Sequence, residues 1–146
     1  MIALVQRVAR AEVSVAGERV GAIGAGLLVF VCAEPADDEA IADRLVERLL
    51  KLRIFSDAEG KMNRSLVDVA GGLLLVSQFT LAAELSGGNR PSFSGAAPAA
   101  QGRALYERVL AAARARLPVV EAGVFGAEMQ VELVNDGPVT IPITLR

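Results

Sequence analysis

Two short segments of this chain carry residue types that can do chemistry. The first, Ser77–Thr80 (Ser-Gln-Phe-Thr), stands where an apolar run turns abruptly polar, so its backbone N–H groups and hydroxyls should lie at the end of a strand. Backbone donors in such a place can stabilise the oxyanion of an acyl-transfer intermediate. Thr80 as a nucleophile is the alternative, but the chain has no histidine and no nearby lysine to activate it. A strand that simply leaves the core is the plainer interpretation of the segment taken alone.

The second segment runs from Asn135 to Thr140 (Asn-Asp-Gly-Pro-Val-Thr). Gly137 has no side chain and Pro138 has no N–H, so the pair can present two bare carbonyl acceptors to a ligand. Apolar residues alternate with polar ones on both sides, which predicts two strands with a turn between them. We expect Asp136 to shape this turn through side-chain-to-backbone bonds. An ordinary reverse turn is the alternative.

The residue types that are missing exclude several kinds of site. Without histidine there is no Ser-His-Asp triad and no Cys-His pair, and a single cysteine cannot build the usual tetrahedral zinc site. We therefore expect no metal and no cofactor, with catalysis left to carboxylates, hydroxyls, backbone dipoles or groups of the substrate. Cys32 lies inside the apolar run 27–33, which predicts a buried, unreactive thiol.

The composition limits the classes of protein to which this chain can belong. With 146 residues, 53% hydrophobic and 22% charged, the chain is expected to form one globular domain over residues 1–146. Its apolar runs are too short for a signal peptide or a membrane span, so a cytoplasmic protein without a membrane partner is predicted. The net charge of −2 gives no overall nucleic-acid signature. Lys61, Arg64 and Arg90 are loop candidates for phosphate contacts, with solvated surface as the alternative.

The elements that must position the two segments follow from periodicity. Strands are predicted at 2–8, 11–15, 19–23 and 27–33 as an antiparallel meander, at 53–56 and 73–76, and as three more at the end of the chain. One helix should begin at 37–39 and bury Ile41, Leu45, Leu49 and Leu52, and a second should run from about Pro98 to Arg116. Residues 83–98 read as an irregular loop. The fold class is α+β, with a mainly antiparallel, barrel-like sheet and two principal helices.

Taken together, the motifs resemble those of the D-aminoacyl-tRNA (D-tyrosyl-tRNA) deacylase family over nearly the whole chain. The matching stretches are residues 6–8, 55–63, 77–83, 90–93, 129–131 and 135–140. The resemblance implies a homodimer with active sites at the subunit interface, which hydrolyses the ester of D-aminoacyl-tRNA and also acts on glycyl-tRNA. It implies a site in which Ser77, Gln78, Phe79 and Thr80 line the pocket, Phe125 and Met129 lie by the adenine, and Arg7 lies near a cis Gly137-Pro138 pair that enters the neighbouring subunit.

The chemistry implied by the resemblance needs few side chains. The Gly137 and Pro138 carbonyls would face the substrate's α-carbon and reject an L side chain, while the ribose 2′-hydroxyl would assist the attacking water. Pro142 stands where the family usually has an aromatic residue, and it predicts an edge or bulged strand. Two other functions stay open: a silent RNA-binding or dimerisation module, and an amidase or peptidase using Thr80.

Overall fold

The computed structural model describes residues 1–146, with eight strands and two α-helices. Their bounds are β1 Ile2–Val15, β2 Glu18–Ile23, β3 Gly26–Cys32, α1 Glu39–Lys51, β4 Phe55–Ser56, β5 Met62–Arg64, β6 Gly72–Ser77, α2 Ala99–Arg114, β7 Val120–Ala122 and β8 Gln130–Thr144. A short 3₁₀ turn, Phe79–Ala82, follows β6. β4 and β5 form a separate two-stranded hairpin, and the other six strands share one sheet.

β1 is one continuous strand and the axis of the sheet. The predicted break between residues 8 and 11 is therefore wrong. β3 pairs antiparallel with residues 2–8 of β1, and β2 pairs antiparallel with residues 11–15, so β2 and β3 lie end to end along the same edge of β1. The predicted meander is wrong for the same reason: Gly24-Ala25 kinks the chain between two collinear strands and does not reverse it.

β8 runs along the other edge of β1 for its whole length. It pairs antiparallel with β1 from Gln130 opposite Ser14 to Thr144 opposite Ile2. The predicted reversing turn at 135–140 is thus wrong, and two strands close the chain where three were expected. Residues 136–139 instead leave the ladder and form a loop. Asn135 is opposite Val8 and Thr140 is opposite Gln6, so five residue steps along β8 correspond to only two along β1. We call residues 135–140 the excursion loop. β8 pairs with β1 alone, so Pro142 lies on an edge strand, as predicted.

Two parallel strands extend the sheet beyond β3. β6 pairs parallel with β3, and β7 pairs parallel with β6. Each returns in the same direction because a long connection containing a helix precedes it, α1 before β6 and α2 before β7. The outer strands β2 and β7 then approach each other so closely that a Cβ on Gly21 would lie 2.8 Å from the Ala122 carbonyl oxygen. The nearly closed, barrel-like α+β fold is confirmed, with a larger parallel part than the sequence predicted.

Both helices cover one face of the sheet. Asp38 caps α1, accepting a hydrogen bond from the Ile41 N–H (3.0 Å), which confirms the helix start expected from the acidic triplet. Leu45 and Leu49 are buried as predicted, whereas Ile41 and Leu52 lie half-buried at the rim of the core. The fully buried positions of α1 that complete its inner face are Ala42, Val46 and Leu50.

The second face of the sheet has a smaller core of its own. Alternation along β6 sends Leu73 and Leu75 towards the helices and Leu74 and Val76 towards this second cluster, which β1 and β3 complete. Cys32, at the end of β3, is a buried free thiol as expected. None of the helices is both long and apolar enough to cross a bilayer.

Candidate active site

A cavity of about 620 Å³ opens where the three parallel strands end. β3, β6 and β7 all run towards it, and open sheets bind their ligands in the crevice beyond the carboxyl ends of such strands. The lining residues are predominantly apolar: Val31, Ala33, Val76, Ser77, Gln78, Phe79, Phe93, Ala96, Ala97, Ala99, Gly102, Tyr106, Phe125, Gly126, Ala127, Met129 and Val131. The structure thus brings five of the predicted site residues into one cavity.

The end of β6 supplies the polar wall of the cavity. The Gln78 N–H closes the ladder to β3 by donating to the Val31 carbonyl (2.8 Å), so it has no capacity for a ligand. The Leu75 carbonyl faces β7, where it accepts from the Gly123 N–H (3.0 Å). Because strand groups alternate, the Ser77 N–H points to that same side, beyond the point where β7 has ended.

The 3₁₀ turn after β6 adds further backbone donors. Its first hydrogen bond runs from the Leu81 N–H to the Gln78 carbonyl (3.2 Å), and the N–H groups of Phe79 and Thr80 precede it. The Phe79 ring packs edge-on against Phe93, with centroids 5.1 Å apart and planes at 81°. The N–H groups of Ser77, Phe79 and Thr80 are therefore the donors that this segment can offer.

Thr80 differs from the other three residues of its segment. It is exposed and does not line the cavity, and its hydroxyl accepts a hydrogen bond from the Gln78 side-chain amide. The expectation that all four side chains line the pocket therefore applies to Ser77, Gln78 and Phe79 only. The Thr80 side chain orients the Gln78 amide and has no base beside it.

The opposite wall combines the segment after β7 with α2. The Phe125 ring lies 6.1 Å from Tyr106, and the Arg103 guanidinium stacks over it at 4.7 Å from the ring centroid. Met129 lines the same wall and lies tightly against Gly123, where an added Cβ would come within 2.6 Å of its sulfur. This wall of the cavity is therefore apolar and partly aromatic.

No residue that lines the cavity carries a charge or titrates near neutral pH. The Tyr106 hydroxyl donates to the buried Leu75 carbonyl (2.8 Å), and burial raises the pKa of Tyr106 to about 12. Burial also raises the pKa of the nearby Cys32 thiol, whose sulfur lies 3.5 Å from the Phe79 carbonyl oxygen. The cavity can donate hydrogen bonds to an oxyanion, but it contains no general base of its own.

The excursion loop is a separate, exposed structure. Its Gly137-Pro138 bond is cis, and both residues are exposed. The Asn135 side chain closes the loop: its Oδ1 accepts from the Val139 N–H (2.7 Å) and its Nδ2 donates to the Thr140 hydroxyl (2.9 Å). The expectation that the Asp136 side chain shapes the turn is wrong, because the Asn135 side chain makes these bonds.

Arg7 clamps the excursion loop to the body of the protein. Its Nε donates to the Asp136 carbonyl (2.7 Å) and its Nη1 to the Ile54 carbonyl (2.6 Å). Gly137 has φ +153°, and a Cβ there would lie 2.7 Å from the Val139 backbone nitrogen. Arg7, Gly137 and Pro138 are thus held together, as the resemblance implies, but none of them lines the cavity of the same chain.

Comparison with known proteins identifies the family of this chain. The family model described as D-Tyr-tRNA(Tyr) deacylase matches residues 4–144. The chain belongs to this family. It is 72% identical to the D-aminoacyl-tRNA deacylase of Methylibium petroleiphilum over 145 residues, which cover 99% of this chain and 95% of the relative.

Two solved structures share the fold of this chain. A structure named c-Myc DNA Unwinding Element Binding Protein superposes with a TM-score of 0.95 at 41% identity, covering 100% of this chain and 99% of the other. A structure described as a probable eukaryotic D-amino acid tRNA deacylase shares the fold at a TM-score of 0.83 and 19% identity, covering 97% of each chain.

Several cavity residues were not expected from sequence. Phe93 belongs to the matching stretch 90–93, but nothing in the sequence indicated that its ring would pack edge-on against Phe79 in the wall of the cavity. Tyr106 reads as an ordinary core position of α2, and only the fold shows that its ring packs near Phe125. In the sequence, Arg103 lies one turn before Glu107, and this spacing indicates only a surface ion pair on a helix.

Proposed function

We propose that this chain hydrolyses the ester that joins a D-amino acid to the 3′ end of tRNA, releasing the free D-amino acid and tRNA. Family membership supports a hydrolase of ester bonds with D-aminoacyl-tRNA as its substrate. The observation that carries the proposal is the cavity at the ends of β3, β6 and β7, which offers backbone donors and no base. An aminoacyl ester is already activated and suits such a site.

The bond-breaking step relies on the backbone donors at the end of β6. Water attacks the ester carbonyl, and the N–H groups of Ser77, Phe79 and Thr80 are the candidates for stabilising the oxyanion. Each well-placed donor of this kind contributes about 3 kcal/mol to lowering the barrier. The ribose 2′-hydroxyl next to the ester orients the attacking water and relays its proton to the departing 3′ oxygen, so that the bond from the carbonyl carbon to that oxygen breaks and the free D-amino acid and the 3′-hydroxyl of tRNA are released.

The terminal adenosine occupies the wall formed by Phe125 and Met129. An aromatic ring is a sequence-tolerant platform for a base, and because the Arg103 guanidinium covers one face of the Phe125 ring, the adenine packs against the remaining ring surface and Met129. This placement leaves the aminoacyl ester directed towards Ser77 and Phe79 on the facing wall of the same cavity.

Chirality is selected by the excursion loop of a second subunit. Each side of the proposed interface has an exposed apolar side chain: Phe79 at the cavity is 56% exposed, and Val134 beside the excursion loop is 42% exposed. In a homodimer that joins them, the Gly137 and Pro138 carbonyls accept from the substrate's α-ammonium and leave no room for an L side chain. A D residue, or glycine, avoids them.

One assay separates this function from its rivals. The protein is incubated with D-tyrosyl-tRNA, L-tyrosyl-tRNA and a D-aminoacyl peptide, and release of the amino acid is followed. Hydrolysis of the D ester alone is expected. Cleavage of the peptide would favour an amidase. Binding without turnover would favour a nucleic-acid-binding module, the kind of function for which the 41% identical c-Myc DNA Unwinding Element Binding Protein is named.

One altered substrate and one protein variant test the chemistry of the reaction. A substrate whose 2′-hydroxyl is replaced by hydrogen should be cleaved far more slowly, and cleavage at the full rate would exclude 2′-hydroxyl assistance. Thr80→Ala should keep most of the activity because the Thr80 hydroxyl only positions Gln78. Near-complete loss in Thr80→Ala would instead point to Thr80 as the nucleophile.

A further inference from the structure

A second groove, of about 480 Å³, lies along the C-terminal half of α1 and differs in character from the active-site cavity. It is lined by four cationic residues, one carboxylate and two leucines: Arg44, Arg48, Lys51, Arg53, Glu47, Leu52 and Leu145. The groove therefore has a net charge of +3, while the whole chain has −2 and the remainder of it −5. We call this surface the basic groove.

The charges of the basic groove are not needed for ion pairs within the protein. Arg44 donates to the Arg146 carbonyl oxygen (3.2 Å), Arg48 and Arg53 form no ion pair, and Lys51 is paired with Glu47 at 3.0 Å. Arg53 is held in place by neutral acceptors, the Asn63 carbonyl (3.0 Å) and the Asn63 side chain (2.6 Å). Arginines that form no ion pair favour an external anion that offers two oxygens to one guanidinium, such as a phosphate.

The arrangement fits an extended polyanion better than a small one. Arg44, Arg48 and Lys51 succeed one another on one face of α1, over roughly 10 Å at 1.5 Å per residue. The helix dipole accounts for cations in the last turn, but it does not account for Arg44 in the middle of the helix or Arg53 beyond its end. The same dipole, negative at this end, disfavours a single small anion bound by backbone groups.

The basic groove is connected to the excursion loop through Arg7. The carbonyl of Ile54, the residue after Arg53, accepts from Arg7 Nη1, and the Arg7 Nε holds the Asp136 carbonyl beside Gly137. We infer that the basic groove of one chain binds the phosphate backbone of a tRNA. The aminoacyl end of that tRNA lies in the cavity that the excursion loop of the same chain completes. This inference rests on the proposed function, in which that cavity belongs to the partner subunit.

The test compares Arg44→Glu/Arg48→Glu with a control that changes the net charge equally, Arg19→Glu/Arg114→Glu. All four side chains are exposed, and neither control position lines the groove or the cavity. We expect the groove variant to raise the KM for D-tyrosyl-tRNA about tenfold or more, and to leave hydrolysis of the D-tyrosyl ester of adenosine, which has no backbone phosphate, unchanged. The slope of log affinity against log salt should become shallower by about 1.4 to 1.8 for two lost phosphate contacts.

Three results would overturn the inference: an unchanged KM, a salt slope equal to that of the control, or an equal loss on the adenosine ester. Binding of uncharged tRNA, measured by fluorescence titration, keeps the inference separate from the activity. In one outcome, wild type binds tRNA while the groove variant does not, and neither protein cleaves the ester. That result would support tRNA binding by the groove and refute the proposed reaction.

Mixed dimers test which cavity the groove serves. One chain carries Ala97→Trp, which fills its cavity, and the other carries the reversed groove, so the one open cavity adjoins the intact groove of its partner. This dimer should keep the wild-type KM. Placing both lesions in one chain should raise the KM about tenfold, and the opposite order of the two dimers would refute a groove that acts across the interface.

Discussion

Arg7→Met should weaken chiral discrimination more than it weakens hydrolysis. Arg7 is the only side chain that ties the Asp136 carbonyl, and with it Gly137-Pro138, to the body of the protein, through Ile54. Methionine keeps much of the apolar stem of arginine and loses both hydrogen bonds. The excursion loop then keeps its internal Asn135 bonds but loses its fixed position relative to the cavity it serves.

The size of the effect follows from the two lost bonds. A hydrogen bond from a charged donor contributes about 1.5 to 3 kcal/mol, and Arg7 makes two of them. Arg7 is half-buried, and water can replace it at the exposed Asp136 carbonyl, so we take the low end for one bond, about 1.5 kcal/mol. Since 1.4 kcal/mol corresponds to about tenfold, the ratio of L to D hydrolysis should rise by about ten.

The assay is single-turnover release of labelled tyrosine from D- and L-tyrosyl-tRNA. Arg10→Met is the matched control, because Arg10 also reaches from β1 to β8, but it meets Glu132 in an exposed pair at 3.0 Å. Such a pair contributes less than about 1 kcal/mol, so the ratio should not change. An L-to-D ratio in Arg7→Met equal to that of wild type, with the two rates unchanged or reduced by the same factor, would refute the reasoning.

Three further predictions concern the cavity and the core. Phe125→Ala should weaken binding of an adenosine-ended ester by about 1 to 3 kcal/mol, seen as a higher Kd, because it removes the stacking platform. The raised pKa of Tyr106 means that the folded protein holds a proton which the unfolded chain loses above its ordinary pKa of 10.0; this stability is present below pH 10 and is lost as the pH rises through about 12. Tyr106→Phe should therefore flatten the fall of unfolding free energy with pH in that window, measured by urea titration. Gly26→Ala should prevent folding, as judged by circular dichroism, because Gly26 has φ +159° and the new Cβ would lie 1.9 Å from the Gly72 carbonyl oxygen.

Local rules predicted the helices and the buried strands well. The acidic triplet fixed the start of α1 because an N-cap is a contact between residues three apart. The apolar run 27–33 became β3 because a strand buried on both faces needs no alternation. Both signals are present within a few residues of sequence.

The errors in the predicted fold concern which strands pair with each other, because sequence periodicity does not encode strand pairing. A Gly-Pro step between two alternating runs reads as a reversing turn, yet β1 is long enough to pair with both runs in one direction, so the chain bulges and continues. The end-to-end placement of β2 and β3 has the same origin. In the candidate site, Ser77 and Gly137 were singled out by residue type, but the grouping of Phe93 with the end of β6 depends on the loop 83–98, whose path no local rule predicts.

In the proposed function, the excursion loop excludes an L side chain, and no part of the site recognises a D side chain. Single-turnover hydrolysis of D-tyrosyl-tRNA, L-tyrosyl-tRNA and glycyl-tRNA by one preparation tests this selection. If the Gly137 and Pro138 carbonyls only exclude, the D and glycyl esters are both cleaved and the L ester is spared. Cleavage of the D ester with glycyl-tRNA and L-tyrosyl-tRNA both spared, or cleavage of the L ester at a comparable rate, would contradict it.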